Sequence, residues 1–179
     1  MLAGLRAMFR WATMRSEMAI KRTRQLKPLS SEHHQALLVA FQLKKGLAGH
    51  GESAGAPRDL PGILALARRF ENTLFHTHTK TEEEVLGRHL SPSDMKRLKF
   101  EHAEMERLLG AAPHARPADM RQALAAFADL LERHIRWEER ELFPHCEADL
   151  NESELARVGH ELEKRLVISR NDTKPANKP

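Results

Sequence analysis

The sequence has no tyrosine, and aromatic residues make up only 5% of it. Sheets draw on aromatic and β-branched side chains, whereas Leu, Ala, Glu, Arg and Met, all abundant here, are good helix formers, so the composition favours an all-α protein. A single cysteine, Cys146, permits no internal disulfide and no thiolate metal cluster. That argues against a stapled secreted domain and fits a reducing cytoplasm. No apolar run approaches the roughly 20 residues needed to cross a bilayer, and Arg6 and Arg10 break the one hydrophobic stretch near the N-terminus. What remains, 179 residues with 41% hydrophobic and 30% charged, has the balance of one globular core with tails.

The formal charge of +4 suggests nucleic acid until it is divided along the chain. Residues 1–28 hold Arg6, Arg10, Arg15, Lys21, Arg22, Arg24 and Lys27 against Glu17 alone, a net of +6 that leaves −2 for everything else. There is no basic stripe with interleaved aromatics, so no nucleic-acid partner is expected. In the leader, Leu2, Leu5, Phe9 and Ala12 lie at helical spacing. They could dock weakly on a membrane surface or, more simply, lie on the body of the protein. Met14 or Met18 could equally open the functional chain.

Punctuation divides the rest into helices. Ser30 is placed to cap a first helix to about Leu47, ended by Gly46, Gly49, Gly51, Gly55 and Pro57. Asp59 can cap a second, with Pro61 in its first turn, running to about Gly87. Ser93 opens a third that ends near Gly110, before the breakers from Ala111 to Pro117. A fourth runs from Ala118 to about Phe143, where Pro144 should kink or end it. Asn151 caps a last helix through Val167. The expected architecture is all-α, an up-down-up-down four-helix bundle with a short C-terminal fifth helix and a basic N-terminal extension. Its parts are the extension 1–28, the bundle 29–147, the C-terminal helix 148–170 and a flexible tail 171–179. No solenoid-type repeat is present.

Histidines interrupt the apolar stripes. Helix one reads Leu29, His33, Ala36, Ala40, Leu43, Leu47, and helix three Met95, Leu98, His102, Met105, Leu109, each a run of threes and fours. Helix two leads from Ile63, Ala67, Phe70 and Leu74 into His78 and Glu82. Helix four leads from Met120, Leu124, Phe127 and Leu131 into His134 and Glu138. A lone His-x-x-x-Glu is ordinarily a buried ion pair, and His102 with Glu106 makes a third example. The longer pattern His-x-x-x-Glu-Glu-x-x-Leu is another matter. It occurs at His78, Glu82, Glu83, Leu86 and again at His134, Glu138, Glu139, Leu142, where chance gives roughly a tenth of one His-x-x-x-Glu-Glu. Glu32 before His33 and Glu101 before His102 form a second, weaker pairing.

In an up-down bundle the starts of helices one and three lie level with the ends of helices two and four, so the four histidines can converge. Buried carboxylates cost several kcal/mol unless a cation meets them. His33, His78, Glu82, His102, His134 and Glu138 therefore form a candidate metal site. Imidazole and carboxylate without thiolate suits iron, manganese or zinc, and six protein ligands around two ions leave positions open.

Over about residues 28–147 these features resemble the hemerythrin-like, or HHE cation-binding, family. The resemblance is carried by Pro28-Leu29-Ser30-Ser31-Glu32-His33-His34, by His78 with Glu82 and Glu83, by Glu101-His102, and by His134 with Glu138, Glu139, Leu142, Phe143 and Pro144. It implies two non-haem iron ions with an oxo or hydroxo bridge, bridging carboxylates at Glu82 and Glu138, and a dioxygen, peroxide or nitric oxide partner. Classical oxygen carriers have a second histidine one turn after the helix-three histidine, where this chain has Glu106. Glu106 as a seventh ligand would make the site more carboxylate-rich and turn it from reversible carriage toward redox chemistry or iron sensing. The carriers' spacing selects Glu139 as the last acid, whereas stripe geometry selects Glu138.

His34 is an alternative to His33, since it shares a face with Leu37, Leu38 and Phe41. His76 reads as peripheral, His50, His89, His114, His145 and His160 as solvated, and Glu83, Glu84 and Glu141 as an outer charged face. Cys146 is either a redox thiol or, more simply, a small buried residue. Three functions fit: a diiron binding protein acting as sensor, store or scavenger; a diiron enzyme of stress defence or iron-centre repair; and a metal-free interaction bundle whose polar core sets register.

Overall fold

Proline sets where three of the long helices begin. Its fixed φ suits the first turn, and its missing N–H is one that a helix start cannot use anyway. The computed structural model describes residues 23–50, 55–57 and 59–172, with side chains as far as Leu166. The expectations for the leader through Arg22, and for the tail from Thr173 on, lie outside the described residues. Pro28 stands in the first turn of α1 (Lys27–Leu47), which has no side-chain cap. Ser30, expected as the cap, is instead inside the helix. Pro92 opens α4 (Pro92–Ala111), where the cap is Ser91, accepting from Asp94 N–H, rather than Ser93. Pro117 opens α5 (Pro117–Trp137). Asp59 caps α2 (Leu60–Phe70) as expected, accepting from Gly62 N–H at 3.1 Å.

The second and fourth rods each carry a wide turn that helical spacing alone did not reveal. In the second rod a π-helical segment, Glu71–Phe75, separates α2 from α3 (His76–Val85). The reason lies in the phase of the stripe. Steps of four overshoot a full turn by about 40° each, so the run 70, 74, 78, 82 would rotate Glu82 off the core. One extra residue resets it: Phe75 is buried in the place expected for Leu74, which is only partly covered, and His78 and Glu82 then point inward.

In the fourth rod the π segment is Glu138–Leu142, followed by α6 (Phe143–Asp149). Phe143 N–H bonds back five residues to the Glu138 carbonyl. Pro144 was expected to kink or end this helix. The widened turn just before it relieves the clash between the proline ring and the carbonyl four residues earlier, and the rod runs on to Asp149.

A capping box starts α7 (Glu152–Asp172): Asn151 Oδ1 accepts from Glu154 N–H while Glu154 Oε2 accepts from Asn151 N–H. This helix extends five residues past the expected end at Val167. The first rod packs on the second and fourth, and the third packs on the fourth and second, the order of an up-down-up-down bundle. The α7 helix crosses α3 and α1. Gly159 permits that close approach, because a Cβ there would stand 3.0 Å from the Cα of Gln25. No strand occurs among the described residues.

Two apolar layers fill the bundle. One contains Ala36, Leu43, Ile63, Phe70, Phe75, Met105, Leu124, Phe127, Leu131 and Ile135. The other contains Leu26, Leu29, Val85, Leu86, Leu98, Trp137, Leu142 and Phe143, closed by Val158, Leu162 and Leu166 of α7. Each fully buried large side chain stabilises the fold by roughly 1.5–3 kcal/mol. Along the first three rods His33, His78, Glu82 and His102 fall between residues of the two layers.

Candidate metal centre

A helix turns about 100° per residue, so a residue next to one that points into the core lies partly around the side of the rod. The chain uses both positions. His33, His78, His102 and His134, with Glu82 and Glu138, occupy the inward ones, and all six are buried. They form two groups, His33, His78, Glu82 and Glu138, and Glu82, His102, His134 and Glu138. Within each group one ligand atom from every residue lies within 4.8 Å of the others. The two carboxylates are common to both groups.

Every imidazole is held from behind by a glutamate. Because an ionised carboxylate only accepts, the ring Nδ1–H donates in each case. His33 donates to Glu139 and His102 to Glu83, both at 2.8 Å. His78 donates to Glu32 at 2.9 Å and His134 to Glu101 at 2.8 Å. These bonds fix the tautomer and turn each Nε2 lone pair toward the centre. There His33 Nε2 and His78 Nε2 are 3.1 Å apart, as are those of His102 and His134. Two lone pairs at that distance repel unless a proton or another cation lies with them.

The carboxylates raise the same demand. Glu82 and Glu138 are fully buried, and none of their four oxygens has a hydrogen-bond partner among the described residues. The nearest imidazole nitrogens stand 3.1–3.7 Å away without hydrogen-bond geometry. Uncompensated burial of this kind costs several kcal/mol per carboxylate. The electrostatics register the strain. Burial favours the neutral forms, yet His78, His102 and His33 together hold the Glu82 carboxyl well below its usual range. Burial also opposes charge on His134, but Glu138, Glu101 and Glu82 raise it to about 10. His33 and His78 are raised as well, against burial, chiefly by Glu139 and Glu82 for the first and by Glu82 and Glu32 for the second. The centre is built for positive charge, and the donor set fits metal cations.

A family model described as the hemerythrin HHE cation-binding domain matches residues 24–146 and, in a second match, residues 93–165. The chain belongs to the hemerythrin HHE cation-binding domain family. Comparison with curated proteins and with solved structures gives no match. Metal-cation binding is what this family's domain implies, and the His and Glu clusters of this HHE domain fit such a site.

Within the hemerythrin-type bundle, His33 is at the centre and His34 is exposed. Glu138 is at the centre, and its neighbour Glu139 supports His33. Glu106 is exposed. Sitting four residues after His102, it should have shared that face, but Met105 takes the inward position. It therefore adds no carboxylate to the site, and Glu106 does not make the centre carboxylate-rich. Glu83, read as part of an outer charged face, instead supports His102. Glu32 and Glu101, which the sequence pairs with His33 and His102 by adjacency, instead support the histidines of neighbouring rods, His78 and His134. Glu84 does lie outward, paired with Arg165 of α7. His76 is half exposed beside Glu71, His50, His114, His145 and His160 are exposed, and His89 is partly covered. Cys146 is buried, and burial, with Asp149 and Asp94, pushes its thiol up to about 12, which leaves no thiolate for redox work.

A small cavity adjoins the centre. Its lining combines the polar His33, His78, Thr79 and His134 with apolar side chains that include Phe70, Leu74 and Met105. It has room for the centre of one water-sized molecule, about 10 Å³.

Proposed function

We propose that this HHE domain is a non-haem diiron protein that binds or reacts with dioxygen, peroxide or nitric oxide, serving in sensing, storage or scavenging. In this reading His33, His78, His102 and His134 are ligands to single ions, and Glu82 and Glu138 bridge both. One observation carries it: two fully buried carboxylates without hydrogen-bond partners are shared by two four-residue groups. Imidazole and carboxylate donors suit iron, manganese or zinc; redox work on a small molecule excludes zinc, and iron is the metal that the family resemblance implies. When bound, two irons would supply open coordination positions and one-electron redox change to a small ligand.

The protein's own residues do the rest. Glu32, Glu83, Glu101 and Glu139 hold the Nδ1 protons and orient the rings. The apolar layers on either side keep bulk water out, and the cavity's size suits a diatomic molecule or peroxide rather than an organic substrate. A metal-free interaction bundle would leave the orphaned carboxylates unexplained.

The test is elemental analysis with an optical spectrum of protein purified in air. About two irons per chain with the charge-transfer bands of a bridged diiron centre are expected. Sub-stoichiometric metal, with a melting temperature unchanged by chelation, would instead favour the metal-free bundle. Steady consumption of peroxide by the iron-loaded protein would make it an enzyme.

A further inference from the structure

The buried cavity beside the centre has a counterpart on the outside. A groove of about 210 Å³ between α1 and α2 is lined by Gln35, Val39, Leu66, Arg69 and Thr73, together with Phe70 and Leu74. Phe70 and Leu74 also line the cavity that touches His33, His78 and His134. These two side chains are the shared wall between the surface and the centre.

The two are not equally free to move. Phe70 is only 5% exposed and packs against both Phe75 and Phe127, with ring centroids 6.1 Å away in each case. Swinging it aside would break an aromatic cluster. Leu74 is partly exposed and stands in the π segment Glu71–Phe75, where hydrogen bonding is wider than in an α-helix. The backbone around it is pinned by hydroxyls: Thr73 Oγ1 donates to the Arg69 carbonyl at 2.8 Å and Thr79 Oγ1 to that of Phe75 at 3.0 Å. A rotamer change of Leu74 can therefore open the wall without unwinding the rod.

We infer that Leu74 is the gate through which a small uncharged ligand passes from the groove between α1 and α2 to the metal centre. This rests on the reading of the centre as a site for a small ligand. Charge is disfavoured because the wall itself, Phe70 and Leu74, is apolar, although Gln35, Arg69 and Thr73 line the groove outside it.

The experiment compares Leu74→Ala, Leu74→Trp and a control, Leu130→Ala, which truncates a buried leucine of the same layer that does not line the cavity. Nitric oxide association with the iron-loaded protein is followed by stopped flow, with metal content measured on the same samples. A gate open about 10% of the time or less scales the on-rate by that fraction, so Leu74→Ala should speed association about tenfold or more. Leu74→Trp should slow it by a similar factor, and Leu130→Ala should leave it unchanged. Iron retained with on-rates within twofold of the parent in both Leu74 variants would overturn the gate and leave the metal reading intact. Xenon exchange, read by NMR on the protein without iron, tests the route independently of the metal. Exchange that responds to Leu74 in a chain unable to hold iron would keep the route and overturn the metal reading, and exchange indifferent to Leu74 would overturn the route.

Discussion

The first two rods and the last two build the same half-site twice. Glu32-His33 with His78, Glu82 and Glu83 corresponds, residue for residue, to Glu101-His102 with His134, Glu138 and Glu139. The supports cross between halves in the same sense: Glu139 holds His33 as Glu83 holds His102. Within a half, Glu32 holds His78 as Glu101 holds His134. The surroundings break this symmetry. His33 stacks on Phe143 at 5.3 Å, and both His33 and His78 face the cavity. In the other half only His134 reaches the cavity. Outside it Trp137 packs 6.0 Å from His134 and carries Arg97 over its ring, and Arg97 in turn bonds Glu101. Two like halves fit a site for cations, and the proposed ligand route uses what differs between them.

The largest expected effect breaks either half. If the positions were independent, His78→Ala or His134→Ala would each leave one ion in place. Because Glu82 and Glu138 belong to both groups, each substitution should instead abolish iron retention while expression stays largely intact, as metal analysis of the purified variants would show. Iron retained in both would reject the ligand assignment.

A smaller effect is expected from the supports. Glu32→Ala and Glu101→Ala should each weaken metal affinity about 10–100-fold, since each frees one imidazole from its orienting bond. Competition with a chelator would measure it. Similar losses would confirm the symmetry of the halves, and a loss confined to one would show that Arg97 and Trp137 alter the second half.

The pH dependence separates the metal-free from the loaded protein. In the metal-free chain His134 is raised from 6.5 to about 10, so its contribution to stability is fully present below about pH 6.5 and fades as pH rises toward 10. Melting of the chelated protein should therefore fall between pH 6 and pH 9. Metal must displace those protons, so metal affinity should rise over the same range. Parallel pH trends for the two forms would show that metal does not replace those protons.

Much of this was legible because burial of a polar residue leaves a mark in an apolar repeat. His33 and His102 stood inside runs of threes and fours, and Glu82 and Glu138 fell where a leucine would be expected. The π turns left no such mark. Their extra residue shows only when the stripe is followed through Phe70, Phe75 and His78 in three dimensions. The supporting glutamates were hidden for a different reason: Glu83 and Glu139 bond histidines on other rods, contacts that no spacing along one helix encodes. Ser30 misled because a hydroxyl is a strong cap signal, yet Pro28 had already started the helix two residues earlier.

In the proposed diiron reading two cations, rather than protons or packing, satisfy Glu82 and Glu138. Native mass spectrometry of the purified chain, taken beside the Glu82→Ala and Glu138→Ala variants, tests it most directly. On that reading the parent should carry two metal ions and the variants neither. A parent of bare protein mass, or variants that keep both ions, would contradict it.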